Sequence, residues 1–344
     1  MMTLNDFYQG FRDPLTIRHL AQLIAQQAAK TNEQINIMEV CGGHTHTIMK
    51  YGLLQLLPTN IHFIHGPGCP VCVMPKERID HAAALASQAD TILVTLGDMI
   101  RVPGSVGSLA LFRSKGCDIR PIYDPLDTLA IARDNPDKTV IFFAIGFETS
   151  TPMTAALLAQ AEALKIDNLL FHINHVLVPP AIDAVMSDSR CQVNAFIGPA
   201  HVSVISGAQI YQSTVDKYKT PVVVSGFEPV DVMESILRIV RQKVAGKAEL
   251  DNQYSRSVSY EGNIAAQQLV DKYFMVRDSF RWRGLGPIAN SALTLRPEYH
   301  HRDAERIYAK ILPTEEIDDH KACMCGDILR GLANPKDCKV FGRG

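Results

Sequence analysis

The chain has no excess of charge of either sign: 34 Lys and Arg stand against 36 Asp and Glu, with no long basic run. That balance leaves no electrostatic footprint for nucleic acid or an anionic membrane. A small ligand or another protein is the expected partner. Long apolar runs are missing too, since none approaches the roughly 18 residues that a spanning helix needs. The opening MMTLNDFYQGFRDP has neither the basic head nor the apolar core of an export signal. The protein is therefore expected in the cytosol. Also absent is a G-x-x-x-x-G-K-[ST] phosphate loop, and the sequence leaves nucleotide use open. Disorder is not expected, because 344 residues that are 47% hydrophobic and 20% charged can build two or three domains with their own cores.

Cysteine, by contrast, is plentiful: Cys41, Cys69, Cys72, Cys117, Cys191, Cys323, Cys325 and Cys338. In a reducing compartment these point to metal binding or thiol chemistry before structural disulfides. Six of them fall in three groups near Gly, Pro or His, whereas Cys117 and Cys191 stand alone and are read as packing residues.

Short β-rich runs alternate with helical stretches from about residue 35 to 246. The runs are INIMEV (35–40), IHFIHG (61–66), TILVTLG (91–97), DIRPIYD (118–124), TVIFFAIG (139–146), NLLFHIN (168–174), NAFIG (194–198) and PVVVSG (221–226). Helices are expected over 14–30, 78–89, 151–165 and 230–246. Eight such units fit a closed barrel or two open parallel sheets. Two echoes favour the sheets: FIHGPGCP (63–70) with FIGPAHV (196–202), and IGFETSTP (145–152) with SGFEPVD (225–231). The expectation is an α/β protein with similar open parallel-sheet domains at 31–130 and 131–246. A smaller third domain, 247–344, carries the tail cysteines, and helix 1–30 packs on it or on the first sheet.

Ligands of parallel sheets bind at the edge where the strand-to-helix loops open. The polar oddities of this chain fall in those loops: Cys41 to His46, Gly66 to Cys72, Gly146 to Thr149, Asn174-His175, Gly198 to His201 and Gly226 to Pro229. A thiol at such a turn meets backbone N–H groups and the positive end of a helix dipole, so Cys41 is expected to have a lowered pKa. Cys69-Pro70-Val71-Cys72 has the spacing of redox pairs and of zinc and iron sites, and spacing alone does not choose. A structural zinc site from Cys41, Cys69, Cys72 and His44 or His46 is the competing reading. His44, His46, His175 and His201 are candidates for proton transfer or for structural hydrogen bonds, and Glu148 and Glu228 for chemistry or for helix capping. Cys323, Cys325 and Cys338 suggest an iron–sulfur site one thiolate short of the usual four.

In this order, MEVCGGHTH, FIHGPGCPVCV, GDMIRVPGS, GFETSTP, GPAHVS, GFEPVD, DNQY and WRGLG resemble the HypD family of [NiFe]-hydrogenase maturation factors over nearly the whole chain. The resemblance implies a scaffold on which the Fe(CN)2CO unit is put together with the small chaperone HypC. Cyanide would come from HypE, as a thiocyanate made with HypF. It implies two similar α/β domains and a third with a [4Fe–4S] cluster. Cys41 matches the family's iron-binding cysteine, and Cys69 and Cys72 its C-P-x-C pair, proposed as further iron ligands or as a dithiol. Cys325 and Cys338 match the first two cluster positions, and Cys323 is an additional thiol. The tail Phe341-Gly342-Arg343-Gly344 reads as the middle of a motif, so further cluster cysteines are expected beyond it. A stand-alone thiol-disulfide oxidoreductase or cysteine-nucleophile transferase is the alternative function.

Overall fold

The computed structural model describes residues 9–317 and 321–340, so the Phe341 to Gly344 reading lies outside the described residues. Its strands are β1 (Ile35–Glu39), β2 (Ile61–His65), β3 (Thr91–Leu96), β4 (Asp118–Ile122), β5 (Thr139–Gly146), β6 (Leu169–His175), β7 (Ala195–Pro199), β8 (Val222–Ser225), β9 (Leu250–Asn252), β10 (Phe274–Trp282) and β11 (Gly286–Leu295). They form a sheet of order β2-β1-β7-β8-β9, a sheet of order β4-β3-β5-β6 and the pair β10-β11. Every pairing in the two larger sheets is parallel, and the smaller C-terminal pair is antiparallel. Strands covered on both faces must be apolar throughout. That is why β5 is buried at every residue after Thr139, and β6 along its whole length.

The chain divides into two compact units, Met1–Cys69 with Ala181–Ile264 and Met324–Gly344, and Pro70–Pro180 with Ala265–Cys323. The strands of 31–130 and 131–246 are thus shared between the two sheets and not divided between them. Local periodicity specifies a strand but not its neighbour, and β1 finds β7 across a long stretch of chain: Ile37 lies opposite Ala195. The region from 247 onward is shared out as well, with β9 closing the first sheet and β10-β11 in the second unit.

In the first unit, the helix Pro14–Ala28 starts where Asp13 caps the Leu15 and Thr16 N–H groups and Pro14 takes the first position. Its stripe of Ile17, Ala21, Ile24 and Ala28 joins Ile35, Ile37, Ile197 and Val223 of the sheet and Ile236 and Val240 of the helix Pro229–Val244 in one core. The helix that the sequence could not place therefore belongs to the first sheet. The second unit packs Val94, Phe142 and Phe171 against Leu157 and Leu158 of the helix Thr151–Ala163, and Phe274, Leu293 and Leu295 of the antiparallel pair enter the same core. Trp282, fully buried, donates its indole N–H to Ser291 Oγ at 2.9 Å.

A charged network sits inside that second unit. Buried Arg78 donates to Asn174 Oδ1 at 2.6 Å, to the Ile173 carbonyl at 3.0 Å and to both oxygens of Glu305. Arg277 donates to the same carboxylate at 2.7 Å. Burial would raise the Glu305 pKa, but the two guanidinium groups hold it well below the usual carboxylate range.

Candidate functional site

Cys41 follows β1 and caps the helix Gly42–Lys50, with extended backbone angles and its sulfur accepting the Gly43 N–H at 3.4 Å. Its Sγ also lies 4.0 Å from His201 Nε2, contributed by the helix Ala200–Ser206 after β7. The thiol pKa is raised, against the lowering expected at such a turn. Burial is the larger cause, the Gly43 N–H opposes it, and the Glu39 and Cys69 charges add to the rise. A capping N–H stabilises thiolate only as far as solvent is not stripped from it.

The loop after β2 closes over this turn. The Gly66 N–H donates to the Glu39 carbonyl at 2.8 Å. A Cβ at Gly68 would lie 1.4 Å from the Val40 oxygen and 2.5 Å from Cys41 Cα, so only glycine lets the residue before Cys69 lie on the Cys41 turn. Cys69 is half-buried and Cys72 exposed. The division between the units falls directly after Cys69.

The histidines separate by environment. His44 is buried, its Nε2 donating to the Gly226 and Ser225 carbonyls at 3.0 and 3.3 Å and its ring stacked on Phe227 at 4.5 Å. Burial pulls its pKa down to about 4, so it is neutral and structural in its bonding. His46 is exposed on the opposite face of the helix. Half-buried His201 also has a lowered pKa, through burial, and is the histidine that meets the thiol.

Glu39 is the residue that sequence reasoning missed. It is 1% exposed on β1, accepts the Thr45 hydroxyl and lies 2.6 Å from His65 Nδ1 of β2. Burial raises its pKa, while His65 and Thr45 oppose the rise. The signal was a carboxylate inside an apolar run, two residues before a cysteine. Glu228 stands at the start of the helix Pro229–Val244 without capping it through its side chain. Instead it is held by Arg12 on both oxygens, one bond at 2.7 Å.

In the second unit, Glu148 does not cap the helix that follows it. Its Oε1 accepts the Val178 N–H at 2.8 Å, and its Oε2 is buried with no hydrogen-bond partner among the described residues, as are Thr149 Oγ1 and His175 Nδ1. His175 Nε2 lies 2.8 Å from Thr154 Oγ1, and burial lowers its pKa to about 4. Burial pushes the Glu148 carboxyl up to about 7 from 4.5. The unfolded chain then ionises first, and folding is penalised increasingly as pH rises through that window. Glu148→Gln keeps the Val178 acceptor and removes the charge. It is expected to be neutral below about pH 4 and stabilising by about 3 kcal/mol at pH 8. Denaturant unfolding at the two pH values checks this, and an equal effect at both would contradict it.

Of the tail cysteines, Cys325 opens the short helix Cys325–Leu329 and Cys338 is buried. No three His, Cys, Asp or Glu side chains gather as a metal-binding group among the described residues. Three thiolates are one short of the four a cubane takes.

Comparison with known proteins identifies the family of the chain. The family model described as HypD, Hydrogenase formation hypA family, matches residues 15–344. The hydrogenase maturation factor HypD of Azotobacter vinelandii is 47% identical over 343 residues, covering 98% of this chain and 89% of its own length. That of Cupriavidus necator is 44% identical over 343 residues, with 97% and 89% covered. The Escherichia coli factor is 41% identical over 326 residues, with 95% and 87% covered. A thiol on a glycine turn, met by a histidine from a distant strand end, thus sits in a chain that belongs to the HypD family of hydrogenase maturation factors.

Proposed function

We propose that the chain is the scaffold on which the Fe(CN)2CO unit of a [NiFe]-hydrogenase is put together, with Cys41 holding the iron jointly with a thiolate of HypC and with cyanide delivered by HypE. The observation that carries this is the half-buried thiol of Cys41, set on a glycine turn with His201 at 4.0 Å. Low-spin iron that binds cyanide and CO takes soft thiolate ligands and needs open positions. One thiolate here and one from a partner leave those positions free.

Releasing cyanide from a thiocyanate takes two electrons: the S–CN bond breaks, the sulfur leaves as a thiol and the carbon binds iron as cyanide. The C-x-x-C pair Cys69 and Cys72 would supply both electrons by forming a disulfide, losing two protons, one taken by the departing thiol and the other released to solvent. His201, 4.0 Å from Cys41 Sγ, would exchange a proton at that sulfur. Glu148, protonated up to about pH 7, is an acid available in the second unit, and Glu228 would have to leave Arg12 to serve as a base. His44 has its Nε2 committed to two carbonyls and holds the Cys41 helix in place. His46, exposed on the opposite face of that helix, remains available to a partner. No step uses an iron–sulfur cluster.

Infrared spectroscopy tests the reading. Protein purified anaerobically after co-expression with HypC and HypE is expected to show CN and CO stretching bands. Stoichiometric, tightly held zinc without those bands would overturn it, as would metal-free thiol turnover.

A further inference from the structure

We infer that Phe227 is a positioning residue that sets the His201 ring against the Cys41 sulfur. The role rests on the reading of Cys41 as the iron-binding thiol, but its geometry does not. The Phe227 ring stacks on His44 at 4.5 Å with planes 22° apart, and on its other neighbour, His201, it leans at 5.2 Å and 37°. It also lies against the backbone of the Cys41 turn, since a Cβ at Gly43 would come within 2.8 Å of Phe227 Cδ1. One aromatic side chain therefore touches the turn that carries the thiol, the histidine that holds that turn and the histidine that meets the sulfur.

The ring is itself held from behind. The Phe227 carbonyl accepts the Thr47 hydroxyl at 2.5 Å, so the loop is tied to the Cys41 helix. The Gly226 N–H donates to Gln253 Oε1 at 3.3 Å, and Gln253 donates in turn to Asp231 at 3.0 Å. Arg256 pairs with both Asp231 oxygens at 2.8 and 2.6 Å, its guanidinium lying over the Phe11 ring at 4.3 Å and the Tyr254 ring at 3.9 Å. A loop fixed by this many bonds presents its aromatic ring in one place, which suits a spacer between two histidines. His44, with its nitrogen bound to carbonyls, serves as the fixed wall, and His201 is the member that can turn if the ring is lost.

The test needs no iron. Alkylation of Cys41 by iodoacetamide, resolved by peptide mass on the full chain at one pH, reads the environment of the sulfur directly. Phe227→Leu and His201→Gln are each expected to change the Cys41 rate in the same direction, by about 2- to 10-fold, the range that aromatic ring contacts support. The double variant should match His201→Gln alone, and Phe227→Tyr should keep the wild-type rate. If the Leu variant does not fold, Phe227→Met, which keeps the bulk without the ring, should behave as Leu is expected to. A Cys41 rate unchanged in a folded Leu or Met variant would overturn the role, as would effects that multiply in the double variant. The infrared bands of the wild-type complex report separately on the iron reading.

Discussion

Cys41→Ser is expected to abolish iron retention, and with it hydrogenase maturation, by at least about 100-fold, because on the proposed function it removes an iron ligand where loss of a mere supporting contact already costs about 10- to 100-fold in metal affinity. Serine is chosen because it separates chemistry from folding. The native sulfur caps the helix Gly42–Lys50 by accepting the Gly43 N–H, and serine is among the preferred caps. The helix and its His44 bonds should survive, while a hydroxyl at physiological pH offers no soft anionic ligand. Nor is Cys69 free to substitute, as Gly68 is pressed on the Val40 carbonyl and leaves that loop no room to advance. Iron analysis and infrared spectra of the co-expressed complex, beside a melting curve, read the result. A Cys41→Ser protein that still carried the bands would remove this thiol from the iron site.

The second large effect lies away from the thiols. Arg78→Ala is expected to cost about 3 to 5 kcal/mol of stability at pH 7, the range for stripping the partner from a buried charge. It leaves Asn174 Oδ1 and the Ile173 carbonyl without their donor and leaves Glu305 with Arg277. Arg78→Lys should rescue little, because one ammonium cannot reach three acceptors as the planar fork does. The cost should also depend on pH. Burial works to raise the Glu305 pKa, yet Arg78 and Arg277 hold it depressed. Its contribution is therefore fully present above the ordinary carboxylate range and is lost as pH falls through and below it. The variant has less to lose, so the two unfolding curves should converge at low pH. Curves that stay parallel from pH 7 to pH 3 would show that the network is not electrostatic in origin.

Much of the architecture was legible because buried parallel strands have to be apolar end to end, as TVIFFAIG is. Helix starts such as Asp13-Pro14 declare themselves through caps. The partition of the chain was not legible, since nothing in INIME names Ala195 as its neighbour. The first echo used to argue duplication joins β2 and β7, which lie in one sheet. Only the second, between the ends of β5 and β8, spans the two units. At the site, the loops were found by composition, yet the direction of the Cys41 pKa was read wrongly. Depth of burial is a property of the assembled fold, and it outweighs a single capping N–H. The Arg12 grip on Glu228 escaped for a related reason: 216 residues separate the partners. Glu39 was overlooked because a carboxylate within a strand was read as part of the run.

The interrupted course of the first unit also fixes an order of events on the ribosome. Strands β3 to β6 follow one another and can pair as they emerge, whereas β1 must wait for residues near Ala195 before its second edge is covered. At usual elongation rates that delay is on the order of ten seconds. Through it the nascent β1-β2 pair keeps a bare edge between Cys41 and its future neighbour His201. The thiol proposed to hold iron thus waits for β7 before its edge of the sheet is covered, and a nascent chain stalled short of β7 would present Cys41 and Cys69 to oxidants and to aggregation before any partner could claim them.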